Sequence, residues 1–157
     1  MVAKKYAKNI QFSPKNYTQL MKLAKIEHIG IAVKDLSAAI PFYENVLGLN
    51  CYAIEEVKEQ KVKTAFFMVG ETKVELLEAT AEDSPIAKYL EKNPNGGVHH
   101  IAFAVDGLAG TLAALEAAGS VTLIDKTPRK GAEGLNIAFL HPKSTFGVLT
   151  ELCEKPN

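Results

Sequence analysis

Apolar and polar positions along this chain follow two rhythms, one of period 2 and one near 3.6, and their order occurs twice. Residues 26–33 are β-branched and apolar enough for a buried strand. Asp35 can cap the next helix, whose apolar face holds Leu36, Ile40, Tyr43 and Leu47, with Gly48 as its stop. Pro41 would remove a hydrogen bond inside that helix, so a tight first turn with the regular helix starting near Ala39 is expected. Strands then fall at about 50–57, 62–69 and 72–78, with Gly70-Glu71 as a two-residue hairpin connection between the last two. Ser84-Pro85 forms an N-cap with proline at the first helical position and opens a short helix over 85–91. Asn93-Pro94-Asn95-Gly96-Gly97 is turn chemistry and the natural linker between the two halves. Beyond it the order begins again, with a strand over 98–105, an alanine-rich helix over 108–118 ended by Gly119, and strands at about 121–124, 135–140 and 147–154. Lys130-Gly131-Ala132-Glu133-Gly134 reads as a mobile loop, and His141-Pro142-Lys143 starts the last turn.

The repetition reaches individual residues. Glu27-His28-Ile29-Gly30-Ile31-Ala32-Val33 is echoed by His99-His100-Ile101-Ala102-Phe103-Ala104-Val105, which aligns His28 with His100 at an offset of 72. Ala65-Phe66-Phe67 is echoed by Ala138-Phe139-Leu140 at 73, and Val74-Glu75-Leu76-Leu77-Glu78 by Thr150-Glu151-Leu152-Cys153-Glu154 at 76. Echoes at nearly one spacing mark a duplicated unit. The fold class expected is therefore α+β: two tandem βαβββ modules, about 26–92 and 98–154, whose curved sheets lie side by side around a central metal cleft in one domain over 26–157. Residues 1–25 stand outside the repeat and form a basic tail, in which Tyr17, Leu20 and Leu23 could pack as a short helix.

Composition narrows the function classes. The chain of 157 residues is 47% hydrophobic and 23% charged with a formal net charge of zero, which suits one soluble globular domain and gives no nucleic-acid footprint. The charge is uneven: residues 1–25 hold six lysines and no acid, leaving 12 basic against 18 acidic residues in the remainder. No apolar run approaches the roughly 20 residues of a membrane helix. The tail lacks both the apolar core of a secretory signal and the arginines of a transit peptide, since Arg129 is the chain's single arginine. Cys51 and Cys153 are too few for a disulfide framework, so reduced thiols and a cytoplasmic protein are expected.

Candidate chemistry sits at the echoes. Alternation along a strand places Glu75 on one face with Lys73 and Leu77, and Glu151 with Leu149 and Cys153. A glutamate among apolar strand residues is costly to bury unless it is paired or coordinated. Any one of His28, Glu75, His100 and Glu151 alone is better read as a core or solvated residue. Two matched pairs favour a shared metal site, because a repeat has no packing reason to keep both polar positions. His99 should point to the opposite face from His100, and His141, without a partner in the first copy, reads as structural or supporting. Mixed imidazole and carboxylate donors suit a borderline divalent ion. Four protein ligands in octahedral geometry leave two open positions, a Lewis-acid arrangement that favours enolate chemistry.

These residues resemble a known family. The duplicated unit with His28, Glu75, His100 and Glu151 at paired positions is similar to the vicinal oxygen chelate superfamily. Asp83-Ser84-Pro85-Ile86-Ala87, Gly96-Gly97-Val98-His99-His100-Ile101-Ala102-Phe103, and Phe139-Leu140-His141-Pro142-Lys143 through Gly147-Val148-Leu149-Thr150-Glu151-Leu152 resemble its methylmalonyl-CoA epimerases, from about Lys25 to Glu154. The resemblance implies interconversion of (2R)- and (2S)-methylmalonyl-CoA by proton abstraction at C2 through a metal-stabilised enolate. It implies His28, Glu75, His100 and Glu151 as ligands, and Glu151 also as one acid–base group. The implied cofactor is a divalent ion, Co2+ or Mn2+ first, with Ni2+, Zn2+ or Mg2+ as options. Some relatives carry glutamine where Glu75 stands, and some a second glutamate where Thr64 stands, so the second acid–base group is left open among Thr64, a water and another carboxylate. Thr64, Lys143 and Arg129, with Lys130, are candidate substrate contacts for the carboxylate or CoA phosphates. A homodimer is expected by the same resemblance, with no nucleic-acid or membrane partner.

The same scaffold supports rival functions. A glyoxalase I-type lactoylglutathione lyase uses similar ligands and also shuttles a proton between adjacent carbons. A metal-free small-molecule-binding protein of the bleomycin-resistance kind would need no paired polar ligands. An extradiol dioxygenase holds redox-active iron with two His and one carboxylate, and a fourth ligand would occupy a position that oxygen or catechol requires.

Overall fold

A computed structural model describes residues 21–119 and 121–156. Among these residues the backbone forms one eight-stranded mixed sheet curled into a half-barrel, with three α-helices. In chain order the elements are β1 (Leu23–Ala32), α1 (Leu36–Pro41), β2 (Cys51–Val57), β3 (Val62–Val69), β4 (Thr72–Ala79), α2 (Pro85–Lys92), β5 (Gly97–Val105), α3 (Leu108–Ala118), β6 (Arg129–Lys130), β7 (Asn136–Leu140) and β8 (Thr150–Glu154). The strand order is β2-β3-β4-β1-β5-β8-β7-β6, so each module repeats the same winding outward from the centre. In both, the first strand pairs parallel with the last, β1 with β4 and β5 with β8. The expected two sheets side by side are instead continuous, because β1 and β5 pair antiparallel across the pseudo-twofold axis. The sheet's free edges approach each other through the segment after β6: Tyr52 Oη donates to Glu133 Oε1 at 3.0 Å, and the Glu133 amide donates to Glu55 Oε2 at 2.9 Å.

Alternation along the strands divides the apolar residues between two faces. The convex face packs on the helices: Leu36, Ala65, Phe67 and Leu76 under α1, and Val105, Leu108, Leu112, Leu115, Ala138, Leu140 and Leu152 under α3. The concave face carries Leu77, Val62 and Ile86 on one side and Leu135, Ile137, Phe139 and Cys153 on the other. The expected hairpin at Gly70-Glu71 is present, with Gly70 at φ +61. So are the Ser84 cap, whose hydroxyl accepts from the Ile86 amide, and the Gly119 stop at φ +67.

Several boundaries differ from the sequence pattern. Asp35 caps α1 directly at Leu36, so Pro41 falls at the end of the regular helix rather than in its first turn. A single π turn over Phe42–Val46 comes next, closed by the Leu47 amide on the Phe42 carbonyl at 3.2 Å. Its extra residue rotates the face, leaving Leu47 exposed while Leu49 packs against the core. Residues 121–124 form no strand; they meet β7 only at the bridge between Leu123 and Leu140, and the edge strand is the two-residue β6. Residues 147–149 lie outside any strand, after Phe146 at φ +56, and β8 starts at Thr150. At the other end β1 begins at Leu23, which is a strand residue; Tyr17 and Leu20 lie outside the described residues.

The last glutamate of each sequence echo has a structural task. Glu78 Oε2 accepts from the Leu36 amide at 2.5 Å, and Glu154 accepts from the Gly107 amide at 2.6 Å and the Leu108 amide at 3.3 Å. Each carboxylate, from its module's final strand, takes up free amides at the start of that module's helix and faces the positive end of its dipole. Glu78→Ala and Glu154→Ala should therefore each lower unfolding free energy by about 1 kcal/mol. In denaturant melts this appears as a lower midpoint at unchanged slope.

Candidate metal centre

The β1–β5 pairing sets the centre. Register places His28 opposite Ala102 and His100 opposite Gly30, so each imidazole crosses a neighbouring strand that offers a small residue. A Cβ on Gly30 would overlap the His100 ring. The rings meet edge to face, with Nε2 of His28 2.9 Å from Nε2 of His100. Glu151 enters from β8, its Oε2 lying 3.3 Å from His100 Nε2 and 3.6 Å from His28 Nε2. Glu75 enters from β4 on the other side of the His28 ring, 3.5 Å from Nδ1. All four residues are at most 5% exposed. His28, His100 and Glu151 form one group of mutually close donor atoms, and Glu27, His28 and Glu75 form a second. The four residues that the repeat marks thus share one concave site, two from each module.

Two further neighbours depart from the alternation rule. The β1–β5 ladder slips between Ile26 and His28, and again between His100 and Val98, so Glu27 and His99 are each an extra residue in a β-bulge. A bulge re-aims the side chain it carries. Glu27 Oε2 accepts from His28 Nδ1 at 2.6 Å, and His99, expected on the opposite face, has its Nδ1 2.9 Å from His100 Nδ1 and lines the cleft. Lys73, on the Glu75 face of β4, reaches Glu27 Oε1 at 3.0 Å and also bonds Glu133. The signal that could have found Glu27 is its place in the repeat, immediately before His28 as His99 is before His100.

The electrostatics of the cluster are unbalanced toward negative charge. Among the described residues the buried charged groups are three carboxylates, Glu27, Glu75 and Glu151, against one ammonium, Lys73, an imbalance of two negative charges with neutral histidines. Burial presses His28 toward the neutral form, but Glu151 and the bonded Glu27 outweigh it and lift its pKa to about 10. Burial opposes ionisation of Glu151 too, yet its contacts with His100 and His28 hold it near 2. Burial raises Glu75, whose nearest cationic partners stand at 3.5 and 3.7 Å. His99 is depressed to about 4 by burial and by its interaction with the neighbouring His100 ring. Two imidazole Nε2 atoms in direct contact and a buried carboxylate with only long-range partners are stable with a proton on His28 or with a cation between the donors. A divalent cation matches the charge imbalance, and N and O donors suit it.

The site floors a cleft of about 210 Å³ whose other walls are largely apolar, among them Val62, Leu77, Ile86, Leu135, Ile137 and Phe139. Thr64, on β3 and buried, lines it, as do Gln60 and Arg129. Arg129 Nε donates to Asp125 at 3.1 Å, and its guanidinium lies over the Phe139 ring at 5.4 Å. Lys143 is exposed in the turn after β7 and Lys130 donates to Asn136; neither is among the residues lining this cleft. His141 is structural, its Nδ1 accepting from the Lys143 amide at 3.1 Å. No helix among the described residues is long and apolar enough to cross a membrane.

Comparison with known proteins gives this geometry relatives. A family model described as the Glyoxalase/Bleomycin resistance protein/Dioxygenase superfamily matches residues 27–139. A relative from Dictyostelium discoideum named methylmalonyl-CoA epimerase, mitochondrial, is 41% identical over 133 residues, which cover 85% of this chain and 80% of that one. Two solved structures superpose with a TM-score of 0.80 at 40% identity, covering 85% of this chain and 96% of theirs. One is a single-residue variant of the Streptomyces coelicolor methylmalonyl-CoA epimerase in complex with 2-nitronate-propionyl-CoA, and the other a methylmalonyl-CoA epimerase in complex with methylmalonyl-CoA and NH4+.

The raised His28 pKa gives a stability signature. A group whose folded value exceeds its ordinary 6.5 contributes fully below that value and loses its contribution as pH rises toward about 10. The melting temperature of chelator-treated protein should fall from pH 7 to pH 10, and His28→Gln should flatten that decline in a thermal-shift series.

Proposed function

The chain belongs to the Glyoxalase/Bleomycin resistance protein/Dioxygenase superfamily, and from that premise we propose that it is a metal-dependent epimerase interconverting (2R)- and (2S)-methylmalonyl-CoA. One observation carries the reading: two histidines and two glutamates, one of each per module, meet at the floor of an apolar cleft, in a chain that matches methylmalonyl-CoA epimerases over 85% of its length. His28, Glu75, His100 and Glu151 are the residues that would hold the cation. Once bound there, a divalent ion supplies Lewis-acid stabilisation of negative charge on the substrate's carbonyl oxygens. Co2+ or Mn2+ suits the donor set, with Ni2+, Zn2+ and Mg2+ as further options.

The protein's own groups orient the thioester and manage the proton. C2 of the substrate lies between two carbonyl carbons, so its C–H bond is acidic and its conjugate base planar. The cleft walls exclude water from that carbon, which strengthens every electrostatic interaction inside. Glu151, ionised and buried, is the group assigned to take the C2 proton from one face. Inversion requires proton delivery to the other face, and Thr64, Gln60 and Arg129 are the polar side chains of the cleft outside the donor cluster and His99. Arg129, which lines the cleft, is assigned to the substrate carboxylate, and Lys143 and Lys130, outside the cleft lining, to the CoA phosphates. The proposal extends to a homodimer, for which Phe42, Val46 and Leu47 offer exposed apolar surface, and to the cytoplasm, which the free Cys51 and Cys153 fit.

In deuterated water with Co2+ present, one epimer of methylmalonyl-CoA should become a mixture of both, with solvent deuterium at C2. Retention of the C2 proton would exclude the epimerase, and turnover of the methylglyoxal–glutathione hemithioacetal in its place would turn the assignment to a lyase. His100→Ala should lower kcat/KM by more than about a hundredfold and remove most bound Co2+ with the fold intact by circular dichroism.

A further inference from the structure

The two bulges put an unassigned residue against each histidine ring at Nδ1, the nitrogen turned away from the Nε2–Nε2 contact and Glu151; Glu75 also stands 3.5 Å from His28 Nδ1, farther than Glu27. Glu27 Oε2 meets His28 Nδ1 at 2.6 Å, and His99 Nδ1 meets His100 Nδ1 at 2.9 Å. The opposite nitrogens, both Nε2, face each other and Glu151. An imidazole that offers Nε2 as a lone-pair donor must carry its proton on Nδ1, and that proton needs an acceptor. Glu27 and His99 occupy the acceptor positions. We propose that Glu27 and His99 are positioning residues, accepting Nδ1–H from His28 and His100 so that both Nε2 atoms are turned to one cation.

The duplicated unit places both at the same point, one residue before each histidine, and in both modules the ladder slips there. Without the slip, alternation would send both side chains to the convex face. The two acceptors differ in how they are held. Glu27 is fixed by Lys73, which also bonds Glu133 on the segment bridging the sheet's edges, so the β1 side is locked by an ion-paired chain. Leu149 occupies the place of Lys73 in the second module, and His99 is held by packing, its ring edge-on to Tyr89 at 5.2 Å. A charged acceptor makes the stronger bond, so His28 is the more firmly oriented of the two.

This inference rests on the proposed cation site, and the two can fail separately. The experiment is a Zn2+ titration by competition with a chelating dye, paired with proton NMR of the Zn2+-loaded protein labelled with nitrogen-15 at histidine. The wild type should bind one Zn2+ and show exchange-protected Nδ1–H signals from His28 and His100. Glu27→Ala and His99→Phe should each weaken Zn2+ binding by roughly 10- to 100-fold and lose the matching Nδ1–H signal. Glu27→Gln and His99→Asn, which keep an acceptor atom, should restore most of both. Glu133→Ala, which loosens Lys73 from outside the cluster, should weaken binding by a smaller factor and serves if Glu27→Ala does not fold. Wild-type protein that takes up no Zn2+ at these histidines sinks the cation site and this inference together. Wild-type binding with unchanged affinity and Nδ1–H signals in Glu27→Ala and His99→Phe, or in Glu133→Ala and His99→Phe where Glu27→Ala does not fold, sinks this inference alone.

Discussion

The antiparallel pairing of β1 with β5 is the constraint from which the site descends. It joins the modules into one sheet and puts His28 and His100 on adjacent strands at the centre of the concave face. A slip of one residue would turn a strand's whole side-chain set to the other face, so the register must be specified strongly. Ala102 opposite His28 and Gly30 opposite His100 do part of that work, since only small residues leave room for an imidazole lying across the neighbouring strand. The parallel partners β4 and β8 then bring Glu75 and Glu151 in from either side.

Burying this cluster is a cost that the rest of the fold must carry. Three carboxylates and one ammonium buried around a pair of imidazoles are destabilising together unless charge is supplied. Without a cation the protein draws a proton onto His28, and the elevated His28 pKa expresses that demand. Helices α1 and α3 and the convex core stand apart from the site, with Leu108, Leu112 and Leu115 packed on one module and Leu36 and Phe67 on the other. That separation lets the concave face keep chemistry-bearing side chains while apolar burial elsewhere holds the strands in place.

Duplication explains both what matches and what has diverged. Glu78 and Glu154 cap their own modules' helices, and Glu75 and Glu151 face the cleft. Each echo therefore carries a cleft-facing and a helix-capping glutamate three residues apart, a spacing that alternation sends to opposite faces. The bulged position before each histidine is kept as a position while its residue differs, Glu27 in one copy and His99 in the other. Lys73 and Glu133 bond each other across the modules and tie the free edges of the half-barrel through Tyr52 and Glu55. The segment holding Glu133, which reads as a mobile loop in sequence, is thereby fastened.

Periodicity and internal echoes are local properties of the chain, and they suffice for the repeat, the order of most strands and helices, the caps at Asp35 and Ser84, and the marking of His28, Glu75, His100 and Glu151. That the two modules share one sheet is not legible in this way, since strand order depends on pairings between distant segments. The placement of Glu27 and His99 is equally hidden: a bulge is a mismatch between two strands, invisible in either one, and it overturns the alternation that puts His99 on the outer face. At Leu47 one π turn shifts a helical face that the 3.6-residue rhythm places differently. Lys143 and Arg129 are equivalent cations by position in the chain, and it takes the curl of the sheet to bring Arg129 to the cleft and leave Lys143 in solvent.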